Sequence, residues 1–371
     1  MLRLSLLCIA IHACYIGSKV VVSLLAVELG ASQATIGAIA ALYGAAPLVL
    51  GVHSGRLADT AGMRLPMLIG AGFVAAAMVT GFLFHSIASL FVVATLMGLG
   101  FVYYNVSIQN LTGAHGPPER RARNFSILAM AYSTSALIGP TFAGFAIDFR
   151  GHAWAFFGFA LFAVFSLVSV VLSRGIPARG PGAAAGASRS TLELLRNAPL
   201  MRTVVMSGLM VAAWELFLFY MPLRGHEIGL SASMIGIVMG AFAAAAFVVR
   251  FLLAYMLRAW SAFFVLSTAV LIAAGAFVLL PLFTDVALVF ATAFVIGLGL
   301  GVCQPISMMV AFERSPAGRT GEVTGLRLTA NNVARIVVPL VGGALGAAFG
   351  AAPVFWMNAL NLVAVSWLAR R

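Results

Sequence analysis

Residues 28–37 read Glu-Leu-Gly-Ala-Ser-Gln-Ala-Thr-Ile-Gly, and residues 227–236 read Glu-Ile-Gly-Leu-Ser-Ala-Ser-Met-Ile-Gly. Glu28, Gly30, Ser32, Ile36 and Gly37 are met by Glu227, Gly229, Ser231, Ile235 and Gly236, at a constant spacing of 199 residues. Carried further along the chain, that spacing sets Gly98-Leu99-Gly100 on Gly297-Leu298-Gly299 and Pro117 and Arg120 on Pro316 and Arg319. It also sets Pro140 and Gly144 on Pro339 and Gly343. One ungapped offset serving so much of the chain means that the sequence is two copies of one unit.

The solvent of that unit follows from composition. Of 371 residues, 62% are hydrophobic and only 9% are charged. A soluble domain of this size needs far more polar surface than such a chain supplies. A lipid bilayer tolerates an apolar exterior, and a spanning helix takes about 20 apolar residues, so the chain has room for about twelve. The net charge of +12 would suggest nucleic acid in a soluble protein. Here the Arg residues sit between apolar runs and act as topology signals. Cys8, Cys14 and Cys303 fall inside the apolar runs, so neither a disulfide framework nor a metal site is expected. The first run reaches about Ala26, too far for a signal peptide, and is read as a spanning helix.

Apolar runs bounded by Gly, Pro or charge predict helices at 4–27, 33–55, 66–85, 88–112, 124–147 and 153–173, then at 202–222, 232–257, 262–282, 286–311, 323–348 and 351–368. Residues 1–173 and 202–371 form the two six-helix bundles. Between them, residues 174–201 form a linker, Gly/Ala/Pro-rich at first, with capping-box spacing at Ser190–Glu193 that predicts a short interfacial helix over 190–198. Seventeen arginines gather on the side that holds both termini and the linker, against Arg150 and Arg224 opposite. That bias places the termini and linker in the cytoplasm, with the bundles in the inner (plasma) membrane. Six spans per copy is an even number, so the copies are parallel and flank a central cavity, the architecture of alternating access.

The loop between helices 2 and 3 reads Gly55-Arg-Leu-Ala-Asp59-Thr-Ala-Gly62-Met-Arg64. It resembles the signature loop of the major facilitator superfamily at Gly55, Asp59, Gly62 and Arg64, with Thr60 and Met63 where basic residues are usual. The resemblance implies the major facilitator fold. It also implies that Asp59 helps to lock the outward-facing state by engaging the start of helix 11. Helix 5 carries Gly139-Pro140-Thr-Phe-Ala143-Gly144, similar to the antiporter motif of the drug/proton exchange branches, with Ser135 and Ala143 replacing two glycines. Pro339, Gly342 and Gly343 repeat that helix-packing pattern in helix 11. Exchangers of that kind carry an Arg in helix 4 four residues before a glycine; here Ala94 precedes Gly98.

An ionisable side chain near mid-bilayer costs about 2.5–3.5 kcal/mol on insertion scales and is a functional candidate by default. Lys19 in helix 1, Glu215 in helix 7 and Arg335 in helix 11 hold such positions. Glu215 maps by the repeat onto position 16, three residues from Lys19, so the two can face each other across the cavity; the alternative pair is Glu215 with Arg335. Two cations against one carboxylate point to an anionic substrate, while Glu215 is the candidate proton-binding group. Tyr103, Asn105 and Gln109 on helix 4, Gln304 on helix 10, and Asn331 and Asn332 on helix 11 are candidate lining residues.

The expected function is secondary active transport of a small organic solute, with proton-linked efflux preferred. The alternatives are uptake or facilitated movement of an organic anion, or a non-transporting receptor on the same fold. No phosphate-binding loop and no nucleophile–base constellation is present, so neither an ATPase nor another enzyme is expected. The expected partners are the solute, protons and the bilayer, with no cofactor, metal or nucleic acid, and the expected state is a monomer.

Overall fold

The computed structural model describes residues 1–114, 121–173, 176, 196–315 and 320–370. Most of the predicted linker and its interfacial helix lies outside the described residues. Twelve of the described helices are long and apolar enough to cross a membrane, which makes the chain an integral multi-pass membrane protein. They are α1 (Leu2–Glu28), α2 (Gln33–Ala61), α3 (Arg64–Leu83), α4 (Ile87–Ala114), α5 (Arg121–Arg150) and α6 (His152–Leu172), then α7 (Ala198–Glu227), α8 (Ala232–Ala259), α9 (Ala262–Leu279), α10, α11 (Thr320–Phe349) and α12 (Ala351–Ala369). α10 is broken at Val302 into Val286–Gly301 and Cys303–Glu313. The start of α1, the end of α6, the start of α7 and the end of α12 share one face, called here the terminal face; the opposite one is the far face.

The offset of 199 residues reappears in the backbone. Gly30 and Gly229 adopt φ of 73° and 78°, and Gly151 and Gly350 adopt 85° and 82°. All four make the tight far-face turns that only glycine enters without strain. Ser32 and Ser231 then cap α2 and α8, their hydroxyl oxygens accepting from Thr35 N–H (3.1 Å) and Met234 N–H (3.3 Å). The signature loop departs from this symmetry. Gly62 has φ 75°, whereas its counterpart Ser261 is extended and caps α9.

α1 and α7 occupy the centre. In their apolar windows 83% and 78% of residues are buried, against 39% for α6, so α1 and α7 meet mainly protein and α6 meets mainly lipid. Around them, α2 packs on α11 and α5 on α8, forming two seams between the first six helices and the last six. These approaches depend on missing side chains. A Cβ on Gly37 would lie 2.4 Å from the Pro339 carbonyl oxygen and 2.9 Å from Gly343 Cα; one on Gly236 would lie 2.7 Å from the Pro140 carbonyl oxygen and 3.4 Å from Gly144 Cα. The two seams are therefore the same contact made twice. Both sit toward the far face, within the first turns of α2 and α8.

Candidate functional site

At mid-membrane, three helices deliver three charges to one point. Lys19 Nζ on α1 donates to Glu215 Oε2 on α7 at 2.6 Å, and Arg335 Nε on α11 donates to Glu215 Oε1 at 3.1 Å. The two pairings expected as alternatives occur together, one on each carboxylate oxygen. The Lys19 and Glu215 side chains are 1% and 5% exposed, but Arg335 is 28% exposed, so Arg335 is the member of the three that keeps free surface. Its Nη1 also donates to Asn332 Oδ1 at 3.4 Å. Gly44 on α2 makes room for this helix, since a Cβ there would lie 2.9 Å from Arg335 Cβ.

Aromatic rings enclose the ammonium group. Lys19 Nζ lies 4.6 Å from the centre of the Tyr15 ring, 5.2 Å from Phe219 and 5.7 Å from Tyr43, within the range where ring quadrupoles attract a cation. The ring hydroxyls are themselves occupied. Tyr43 donates to Ser18 Oγ at 3.1 Å, and Tyr15 donates to the Tyr43 carbonyl at 3.5 Å. Pro47, four residues on, has no N–H, so that carbonyl lacks its helical donor.

A similar substitution occurs on α10. Pro305 leaves the Gly301 carbonyl without its helical donor, and Arg250 Nε on α8 supplies one at 3.2 Å. Arg250 Nη1 also donates to Ser133 Oγ on α5 at 2.7 Å, a second tie between the halves. Toward the terminal face, buried Arg327 donates to the hydroxyls of Ser307 (3.3 Å) and Ser207 (3.5 Å), with Asn331 against Ser207 at 2.9 Å. In the first half, His12 Nδ1 lies 2.6 Å from Ser135 Oγ.

The remaining candidates are dispersed. Asn105 accepts from the Tyr132 hydroxyl at 2.5 Å within its own half, and the Tyr103 ring meets the His53 ring edge-on at 6.2 Å. Gln109 is half-buried and Gln304 is exposed. In the signature loop, Arg64 donates to the Val171 carbonyl at the end of α6; the side chain of Asp59 lies outside the described residues. Gly139 packs against α1, where a Cβ would lie 2.7 Å from the Ala13 carbonyl oxygen, and Gly342 against Tyr220. Among the described residues, no group of His, Cys, Asp and Glu is placed to hold a metal.

One residue that went unremarked in the sequence closes the far face. Asp148, near the end of α5, accepts the N–H of Ala232 (3.0 Å) and of Ser233 (2.7 Å), and the Ser233 hydroxyl. A carboxylate at the positive end of α8 thus straps the α5–α8 seam shut. Its sequence signal was slight. An acid at a helix end reads as a solvated loop residue, although its repeat partner Ala347 marks it as a departure from symmetry.

Comparison with known proteins identifies this arrangement. The family model of the Major Facilitator Superfamily matches residues 6–339. The chain belongs to that superfamily. Superfamily members similar to it include the quinolone resistance protein NorA of Staphylococcus aureus strain COL, 22% identical over 366 residues, covering 95% of this chain and 92% of that protein. NorA of strain MRSA252 is 21% identical over 366 residues, with the same coverage. Among solved structures, a POT family transporter in complex with a thioalcohol-conjugated peptide superposes with a TM-score of 0.83 at 15% identity, over 98% of this chain and 94% of that one. A mutant of the nucleoside transporter NupG does so with 0.80 at 15% identity, over 100% and 98%. At that identity, the structural likeness establishes the major facilitator fold. Membership in the superfamily makes the chain a transporter and not an enzyme.

Proposed function

We propose that the protein is a proton-linked secondary transporter that moves a small organic solute by alternating access, with Glu215 as the group that takes up the proton. The observation that carries this reading is the sharing of one buried carboxylate between Lys19 of the first half and Arg335 of the second. Protonation of Glu215 removes the charge that holds both cations, so a single event loosens the link between the halves. The unit that rocks is a bundle of residues 1–173 against one of residues 202–371, with 174–201 as the connection. The arginine bias orients the termini to the cytoplasm of a plasma (inner) membrane, so the far-face seams at Gly37 and Gly236 would close the outer side. Asp59, with Gly55, Gly62 and Arg64, would close the opposite side in the other half of the cycle. Gln304, Asn332 and Arg335 are the residues offered to the solute.

A second reading, export of a drug-like compound, is favoured by the likeness to proteins named for quinolone resistance. Purified protein in vesicles carrying a pH-sensitive dye separates the readings. Solute-driven movement of protons with the solute, or against it, reports the coupling and its direction. Flux that ignores the proton gradient in the wild type overturns proton linkage, and Glu215→Gln is expected to abolish the response to the gradient.

A further inference from the structure

We infer that the solute carries an anionic group, a carboxylate or its equivalent, and that it and a proton enter the Lys19–Glu215–Arg335 site together, the anion on the two cations and the proton on Glu215. This rests on the transport reading and names the substrate class for that site.

The chain has ten acidic residues. Glu28, Asp59, Asp148, Glu227, Asp285, Glu313 and Glu322 lie at or within a turn of a helix end. Glu119 and Glu193 fall in the connections between spans. Glu215 alone occupies the middle of a spanning helix. Lys19, Glu215 and Arg335 therefore leave one positive charge unmatched within their own cluster, while Arg250 and Arg327, nearer the terminal face, are held by hydroxyls and a carbonyl. A guanidinium has five N–H donors. Arg335 uses Nε on Glu215 and Nη1 on Asn332 and keeps a quarter of its side chain exposed. A monoanion neutralises the site; a cation would raise its charge to two.

Two anions compete at this site. The anion and the ionised Glu215 carboxylate seek the same donors on Lys19 and Arg335. A proton on Glu215 removes the competitor and leaves two cations for the anion. Thermodynamic linkage then runs both ways, because the anion favours the protonated carboxylate by the factor that the proton favours the anion. The groups facing Glu215 are consistent with this sign. α1 presents Lys19, Tyr15 and His12, α2 presents Tyr43 and α11 presents Arg335. α12 presents the neutral Asn358 to α7, and Arg250 of α8 is engaged with Ser133, Gly301 and the Trp214 ring. No second carboxylate among them takes the proton in place of Glu215. Coupling of this sign moves the anion and the proton in the same direction.

The test uses the full-length protein in detergent with benzoate, salicylate, lactate and succinate, each beside its amide and its amine of matching skeleton. At least one carboxylate is expected to raise the melting temperature while its amide and amine do not. Calorimetry of that carboxylate in buffers of different ionisation heat is expected to show proton uptake on binding. Affinity should be roughly 5–150-fold tighter at the acid end of the stable pH range than at the alkaline end, the span of ordinary coupling energies. Glu215→Gln should hold the tighter affinity at both ends, and Arg335→Gln should lose it. If the Glu215 variant does not fold, the proton count on the wild type decides. Stabilisation by the amines, no stabilisation by any carboxylate, or proton release on binding overturns the inference. A protein that prefers amines yet moves a proton-linked solute in vesicles refutes this inference alone. One that binds carboxylates with proton uptake but moves nothing refutes the transport reading alone.

Discussion

The α2–α11 and α5–α8 seams have one backbone geometry and unequal polar fastening. In each, a glycine near the start of one helix meets the carbonyl of a proline and the Cα of a glycine on its partner, at positions related by 199 residues. Among the described residues, only α5–α8 has a carboxylate at its far-face end, where Asp148 holds the first two N–H groups of α8. The α2–α11 seam has Ala347 in that place, and Gln33 Oε1 is buried there without a hydrogen-bond partner. Deeper on α11, Arg335 reaches not α2 but Glu215 of α7, within its own half. Duplication accounts for the contact, and single departures from it decide where each seam is strong.

The largest break in this comparison is Glu215→Ala. It leaves two cations in the membrane interior without a partner, a loss of about 3–5 kcal/mol for a broken buried pair. Thermal unfolding in detergent is expected to show it, with Glu215→Gln falling between the variant and the wild type. Next come Gly37→Ala and Gly236→Ala, where the new methyl group would press on a carbonyl oxygen. Each is expected to cost about 1–3 kcal/mol as overpacking and to increase labelling of a far-face cysteine by an impermeant reagent. Gly51→Ala, with nothing within 4 Å of the added carbon, serves as the control: it should leave labelling unchanged and, as a helix-interior glycine replaced by alanine, raise stability by about 0.5–1 kcal/mol.

Smaller effects test the strap itself. Asp148→Ala is expected to cost about 0.5–2 kcal/mol, the range for removal of a helix cap, and to raise far-face labelling along α5–α8 more than along α2–α11. Ala347→Asp sharpens the comparison from the other side. A carboxylate placed at the start of α2 should gain about 0.3–1 kcal/mol, reduce labelling along α2–α11 and slow turnover. An unchanged labelling pattern in both variants would show that the straps do not set the seams apart.

Most of the scaffold was legible because its causes are local or periodic. Apolar run length gives the twelve helices, and a constant spacing gives the repeat. The members of the charge cluster were legible too, because Lys19, Glu215 and Arg335 are costly where they sit. What the sequence left open was the number of partners a carboxylate takes, since both oxygens of Glu215 are engaged only once α1, α7 and α11 converge. Asn105 shows the converse. Its polarity suggested a lining residue, and the fold spends that polarity on Tyr132 within the same half. Arg250 lay beyond reach for a related reason. Pro305 announces an orphaned carbonyl at Gly301, but nothing along the chain says that α8 will supply the donor.

The rings around Lys19 bear on how fast the site can be reset. An ammonium stripped of its carboxylate in a dry interior would ordinarily have to be rehydrated or re-paired at once, and that requirement would set a high barrier to every cycle. In the proposed cycle Tyr15, Tyr43 and Phe219 would give the departing charge a temporary resting place, each ring contact worth about 0.5–2 kcal/mol. Such padding is too weak to trap the ammonium and strong enough to spare it full isolation. The cage is then a kinetic lubricant, and thinning it one ring at a time should slow the cycle without changing what the site prefers to hold.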